Sequence, residues 1–459
     1  MHIASRVTQL SALALGIAGV LACGQADASG FQLRENSVKN LGRANTGTTV
    51  ARDDASVVAN NPAAMVNLDK ATFQVDLTSI NLDADFDGGG FANAGTPLAS
   101  PLSGGDGGDP GDPALVPAMA MVFPIGDDFR LGASVSAPFG LKTEYDSDWV
   151  GRYTALTSDV KIVDLTVSGA WAVNDRFSLG LGVILQRSEV TLSKAVDFGS
   201  ALCLGSGNPL NCANPAFPFH PQQQDGTVVV DGSDNDWGWV AGFQWRPVEN
   251  VTIGYAHHSE IDHTLRGHAD FTLPGAAVAA LGPLAPADGA IYAPLTTPAT
   301  DTLSLEWAVN ENVRVLADVQ RTGWHTLEQV AIFRDGGAPL GAPEVFDWDD
   351  TYYFGVGAEW DISPSFTLRA GIAQDQTPTQ DAHRTPRLPD NDRKLYSIGA
   401  TWHASDALSI DAAFQRITID TPTVDILAPG ASPVLPPSSL TGEFSGHANL
   451  FGVAMQYRF

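Results

Sequence analysis

The sequence predicts an all-β chain, a transmembrane antiparallel β-barrel of about 14 strands with an N-terminal hatch, or plug, inside its lumen. Three observations predict it. Strand-like segments alternate between apolar residues and small or polar ones, connections alternate between very short and long, and no apolar run of about 18 residues follows the leader. The last observation excludes membrane helices and leaves strands as the way to span a bilayer.

The leader comes first. Arg6 is a short basic flank, Leu10 to Leu21 is an apolar stretch, and Ala26-Asp27-Ala28 reads as a small-x-small cleavage site. Residues 1–28 are therefore expected to be a signal peptide, cut before Ser29, and the chain is expected to be exported. Leu21-Ala22-Cys23 is a looser match to a lipoprotein cleavage box. Residues 29–70 do not alternate, carry the turn-forming cluster Asn60-Asn61-Pro62-Ala63, and are too few for a separate domain. A barrel of fourteen strands leaves a lumen that must be filled or wet, so this segment is expected to be the plug, and residues 71–459 the barrel.

The strands follow. Phe177, Leu179, Leu181, Val183 and Leu185 share one face, as do Trp237, Trp239, Ala241, Phe243 and Trp245. Glu306, Arg314, Asp318 and Glu359 fall opposite the apolar sets of their strands. Because a lipid-facing Arg costs about 2–4 kcal/mol near the bilayer midplane, they are expected inside. Short turns are read at Pro124 to Asp127, Val173 to Arg176, Pro247 to Asn250, Asn310 to Asn312, Asp361 to Pro364 and Ala404 to Asp406. Long polar segments are read near residues 85–113, 195–235, 264–300, 325–345, 375–391 and 421–442. The terminal strand places Phe451, Val453, Met455, Tyr457 and Phe459 on one face. Ending on an aromatic residue is what a bacterial outer-membrane barrel closing on itself would do.

Composition limits the chemistry. A formal charge of −27 argues against nucleic acid as a partner, and the 17% of charged residues is low, as expected for a chain with much of its surface in lipid. Removing the leader deletes Arg6 and Asp27 and leaves the charge unchanged. No phosphate-binding Gly-Lys-Ser/Thr element and no nucleophile–base pattern is present, so neither a cofactor nor an enzymatic activity is expected. His257 and His258 point to opposite faces of a strand, so with Glu260 and His263 they make no metal site. Gly104 to Asp109 reads as a solvated loop. Cys203 and Cys212 lie in a Gly/Asn/Pro-rich loop of an exported chain and are expected to form a disulfide.

Three blocks resemble the FadL-type outer-membrane transporters of long-chain fatty acids and hydrocarbons. Gly30-Phe31-Gln32-Leu33 with Leu41-Gly42-Arg43-Ala44 and Asn61-Pro62-Ala63 is similar to the family's N-terminal hatch. Phe129 to Glu144, containing Ala137-Pro138-Phe139-Gly140, resembles its kinked third strand. Arg384 to Trp402, with Pro389-Asp390-Asn391-Asp392-Arg393, resembles its C-terminal segment. The resemblance implies a monomeric barrel in the Gram-negative outer membrane, set among lipid and lipopolysaccharide, whose partners are hydrophobic small molecules. Ligand would be caught outside, held in an inner pocket, and released sideways through a gap at residues 137–140. The resemblance also implies that Lys194 meets the ligand carboxylate. The family's second basic position falls near Ala331, with Arg334 the candidate to replace it. Asn61 and Asp350 match a pair tying hatch to wall. Long-chain fatty acids and uncharged hydrocarbons both remain open as substrates. The physical need is independent of the resemblance: at about 0.8 kcal/mol per methylene, a sixteen-carbon chain loses on the order of 12 kcal/mol by crossing water.

Overall fold

The computed structural model of the chain describes residues 30–111, 113–428 and 437–459. The expected signal peptide lies outside these residues, as does part of the polar segment near 421–442. The described chain forms a closed antiparallel barrel of 14 strands. In order these are β1 Thr72–Ala92, β2 Ala114–Ile125, β3 Phe129–Glu144, β4 Thr157–Asn174, β5 Phe177–Asp197 and β6 Asp225–Val248. Two interrupted strands follow, β7 (Val251–His258 and Ile261–Thr272) and β8 (Gly289–Thr297 and Thr300–Ala308). The rest are β9 Val313–Thr322, β10 Thr351–Ser363, β11 Phe366–Asp375, β12 Arg393–His403, β13 Leu408–Ile419 and β14 Ser438–Arg458. Pairing of β1 with β14, from Thr72↔Arg458 to Phe91↔Ser439, closes the cylinder and leaves no sheet edge along this seam.

Alternation decides which side chains meet lipid. On β14, Phe451, Val453, Met455 and Tyr457 are exposed, whereas Leu450, Ala454 and Gln456 are buried. Exposed aromatics gather at two levels. Trp171, Trp245, Trp360, Phe366 and Trp402 lie toward the short turns, and Trp237, Trp239, Tyr352 and Tyr396 lie nearer the long loops. The short turns fall where the sequence sets them, but several strands run further than their polarity suggests. On β1, Asp83, Asp85 and Asp87 point outward while Ala84 and Phe86 are buried. The ladder there continues beyond the apolar face, with aspartates as the outward partners. Parts of residues 225–235, 264–272 and 289–297, expected in loops, are strand for the same reason.

The lumen holds residues 30–70. This segment forms two single-turn helices, α1 (Val38–Leu41) and α2 (Val57–Asn60), and a 3-10 helix at Pro62–Asn67. Ser37 caps α1 by accepting from the Asn40 amide, and Asn61 caps the 3-10 helix by accepting from the Ala63 amide. So short a segment cannot satisfy its own backbone, and inward-facing wall side chains supply partners. Asp76 accepts from the Val38 amide at 2.8 Å and Gln74 from the Ala55 amide at 2.9 Å. Ser304 accepts from the Thr49 amide at 3.1 Å, and Ser178 donates to the Ala63 carbonyl at 2.9 Å. The charges expected inside are inside. Asp318 accepts from the Gly47 amide, Glu306 pairs with Arg52, and Glu359 binds Arg43, Arg314 and Arg369. Removing one partner from such a buried set typically costs 3–5 kcal/mol, because a charge is left without compensation. Wall glycines make the fit possible. A Cβ at Gly180 would lie 2.1 Å from the Ala63 nitrogen, and one at Gly371 2.3 Å from the Arg43 carbonyl.

Candidate functional site

Above the plug, at the long-loop end, lies an apolar cavity. On β5, Val190, Leu192, Lys194 and Val196 fall on one face and line it. Across the ladder stand Val228 and Val230 of β6, paired with Lys194 and Leu192. Leu265 and Phe271 of β7 and Leu295 of β8 extend the wall. The segment between β9 and β10 covers it with Leu327, Val330, Ile332, Phe346 and Trp348, held by a small hairpin pairing Gln329–Val330 with Glu344–Val345. Phe31 of the plug forms the floor, its ring 4.9 Å from that of Trp324, 5.8 Å from Phe139 and 5.9 Å from Trp348. Such ring contacts contribute about 0.5–1.5 kcal/mol each beyond their burial.

Three charged side chains line this cavity: Lys194, Arg387 and Glu344. Arg387 arrives from the segment between β11 and β12. Its Nε donates to Glu344 at 3.1 Å, Nη1 to the Ser158 hydroxyl at 3.3 Å, and Nη2 to the Thr154 carbonyl at 2.9 Å. Among the described residues Lys194 makes no hydrogen bond or ion pair. Burial and the neighbouring Arg387 disfavour its charge while Glu344, without touching it, favours it, so the ammonium is costly to keep and is poised to receive an anion.

Beside the floor the barrel wall is interrupted. The β2–β3 ladder ends at Met119↔Val135. Continuing the register would set Pro117 against Ala137, and neither Pro117 nor Pro138 has an amide hydrogen to give. On its other side β3 bulges, pairing Ser136↔Asp164 and then Phe139↔Ile162. Instead of β2, the plug meets this edge: the Leu33 amide donates to the Pro138 carbonyl at 2.8 Å, and the Gly140 amide to the Phe31 carbonyl at 2.9 Å. Ala137, Pro138 and Phe139 also border a second, polar chamber with Gln32, Asn60, Asp164 and Gln186.

The structure brings Phe31, Phe139, Lys194 and the 137–140 bulge around one region, and separates others. Arg334 does not line the cavity. It lies further out on the covering segment, where Nη2 donates to the Ala287 carbonyl at 3.0 Å and the backbone amide to Ala338. The second cation is Arg387 instead. It lies in the Arg384 to Trp402 block, and only packing between distant loops sets it beside Lys194. The Asn61–Asp350 pair is not formed. Asn61 donates to the carbonyls of Thr49 (2.7 Å) and Phe243 (3.1 Å) toward the short-turn end, beside Pro62 and Ala63. Asp350, at the other end, accepts from His325 at 2.6 Å and pairs with Arg321 at 2.5 Å. Burial alone would raise the Asp350 carboxyl, but those bonds outweigh it and hold it below its ordinary range. Cys203 and Cys212 form a disulfide with their Cα atoms 5.0 Å apart. It ties α3 (Phe198–Gly205) to the rest of its loop, where Phe198 packs on Ala277 of α4 (Gly275–Leu281).

A closed barrel with a filled lumen, a lipid-facing apolar girdle and an apolar cavity under its loops defines an outer-membrane transport barrel. The description "Outer membrane protein transport protein (OMPP1/FadL/TodX)" matches residues 19–459, and the chain belongs to that family. It is 30% identical over 466 residues to outer membrane protein P1 of Haemophilus influenzae, covering 97% of this chain and 98% of that one. It is 27% identical to the long-chain fatty acid transport protein of Escherichia coli K12, covering 99% and 100%. Its fold matches the crystal structure of a Pseudomonas aeruginosa FadL homologue with a TM-score of 0.83 at 27% identity, covering 94% and 100%.

Proposed function

We propose that this barrel takes up hydrophobic amphiphiles bearing one carboxylate, long-chain fatty acids first among them. The ligand's tail lies along the aliphatic faces of β5, β6 and β7, and its carboxylate meets Lys194. The observation that carries this reading is the Lys194 ammonium, without a hydrogen bond or contact ion pair of its own among the described residues, on the aliphatic face of β5. The name of the Escherichia coli relative supports it. Exit is sideways, at the β2–β3 interruption, after the Phe31 to Leu33 strip leaves the edge of β3. Passage straight down would cross the polar chamber and the charged plug, where an alkyl chain gains no burial. The protein acts as a monomer, residues 1–28 having directed export.

Uptake by a strain lacking its own transporter tests the reading, with labelled oleate and toluene supplied separately. Oleate uptake that falls about tenfold or more in Lys194→Met, with toluene unaffected, is the expected result. Equal uptake of oleate by both forms overturns the carboxylate assignment. A second reading, uncharged hydrocarbons, is favoured by the Arg387–Glu344 pair, which neutralises one cation within the cavity; toluene uptake exceeding oleate uptake would establish it.

A further inference from the structure

We propose that Glu344 is a built-in counter-anion that sets the charge selectivity of the cavity by holding the guanidinium edge a ligand carboxylate would otherwise take. The inference rests on the carboxylate reading above and deepens it. Arg387 spends Nη1 and Nη2 on the ends of β4 and β5, through Ser158, Thr154 and the Ser193 carbonyl, which leaves its Nε edge for an anion. Glu344 has that edge, accepting from Nε at 3.1 Å, and its other oxygen accepts from Thr385 at 3.2 Å. Both contacts hold the covering hairpin, Gln329–Val330 with Glu344–Val345, against the segment between β11 and β12.

The charge count follows. Two cations and one carboxylate line the cavity among the described residues, so one negative ligand brings it to neutrality. Without Glu344 the cavity would carry two uncompensated cations, bind monoanions more tightly and admit more strongly anionic amphiphiles. With it, attraction is weak enough for ligand to leave, which a conduit requires of its binding site. A neutral ligand of the same shape has no charge to compete with Glu344.

The readout is the ratio of oleate to oleyl alcohol affinity for the purified full-length protein, each measured by equilibrium binding of labelled ligand. Glu344→Gln keeps one oxygen to accept from Arg387 and turns an amide nitrogen, a donor, toward the Thr385 hydroxyl, while removing the charge. It is expected to raise the ratio about tenfold through oleate alone. Glu344→Asp is expected to bring the ratio back toward wild type, which a role in loop packing alone would not do. Glu344→Ala, read the same way, covers a glutamine variant that does not insert. An unchanged ratio, or equal shifts for both ligands, overturns the counter-anion role. If Lys194→Met still lowers the ratio while Glu344 variants do not, the carboxylate reading stands and this inference alone fails; if Lys194→Met leaves it unchanged too, both fail.

Discussion

Asp350 shows how a single side chain steadies the cover of the cavity. Its carboxyl, held low by His325 and Arg321, fastens the start of the covering segment near His325 to the start of β10. A depressed carboxyl contributes fully above its unfolded value of about 3.9 and loses that contribution as pH falls through the lower folded value. Hydrogen-exchange protection in residues 323–350, the rate taken relative to the intrinsic rate at each pH, should therefore be constant above about pH 4 and fall below it. Asp350→Asn should show lower protection than wild type above about pH 4 and converge with it in acid, and a variant matching wild type throughout would refute the role. At this scale the sequence was half legible. Lys194 was found through the family resemblance, and it shares one face of β5 with Val190, Leu192 and Val196. Arg387 and Glu344 could not, because each reaches the cavity from a different loop and no spacing along the chain records their meeting. Asn61 and Asp350 failed as a pair for the converse reason: each is fully engaged at its own end of the barrel.

Among the elements, β3 carries the feature with the clearest consequence. Two prolines and a bulge release its outer half from β2, and the plug's leading strip occupies the vacated edge. A side chain at Gly140 would begin 2.9 Å from Leu33 Cδ1, so Gly140→Arg should crowd that strip and obstruct the opening. Oleate binding to the purified variant is expected to persist while cellular uptake falls; unchanged uptake with normal folding would count against sideways exit. The fit between wall and plug makes a second prediction. Gly371→Val places a branched side chain against the Arg43 carbonyl and should cost about 1–3 kcal/mol, read as a lower temperature for the gel-mobility shift on unfolding. Turns and membrane-crossing faces could be read from alternation because lipid enforces it. Beyond the lipid the enforcement ends, which is why Asp85 and Asp87 were expected in a loop although they stand on β1.

For the molecule as a whole, the wall and the plug share one polar interior. Backbone amides of the plug end on Asp76, Gln74, Ser304 and Asp318, and its arginines Arg34, Arg43 and Arg52 end on Asp375, Glu359 and Glu306. Those wall groups would be left without partners if the plug came away, which favours a plug that stays in place. In planar bilayers the full chain should show little steady conductance, whereas a form lacking residues 31–67 should pass ions freely. Equal conductance of the two would contradict a sealed lumen. Architecture at this scale was open to sequence reading, since alternation and loop length both follow from a cylinder in lipid. The register of β1 against β14 was not, because it joins residues from opposite ends of the chain.

That seam also dictates how the molecule is put together. The occupant of the lumen is connected directly to β1, and β1 finds its last neighbour only in β14, so the seam that completes the cylinder is made by the strand nearest the guest in sequence.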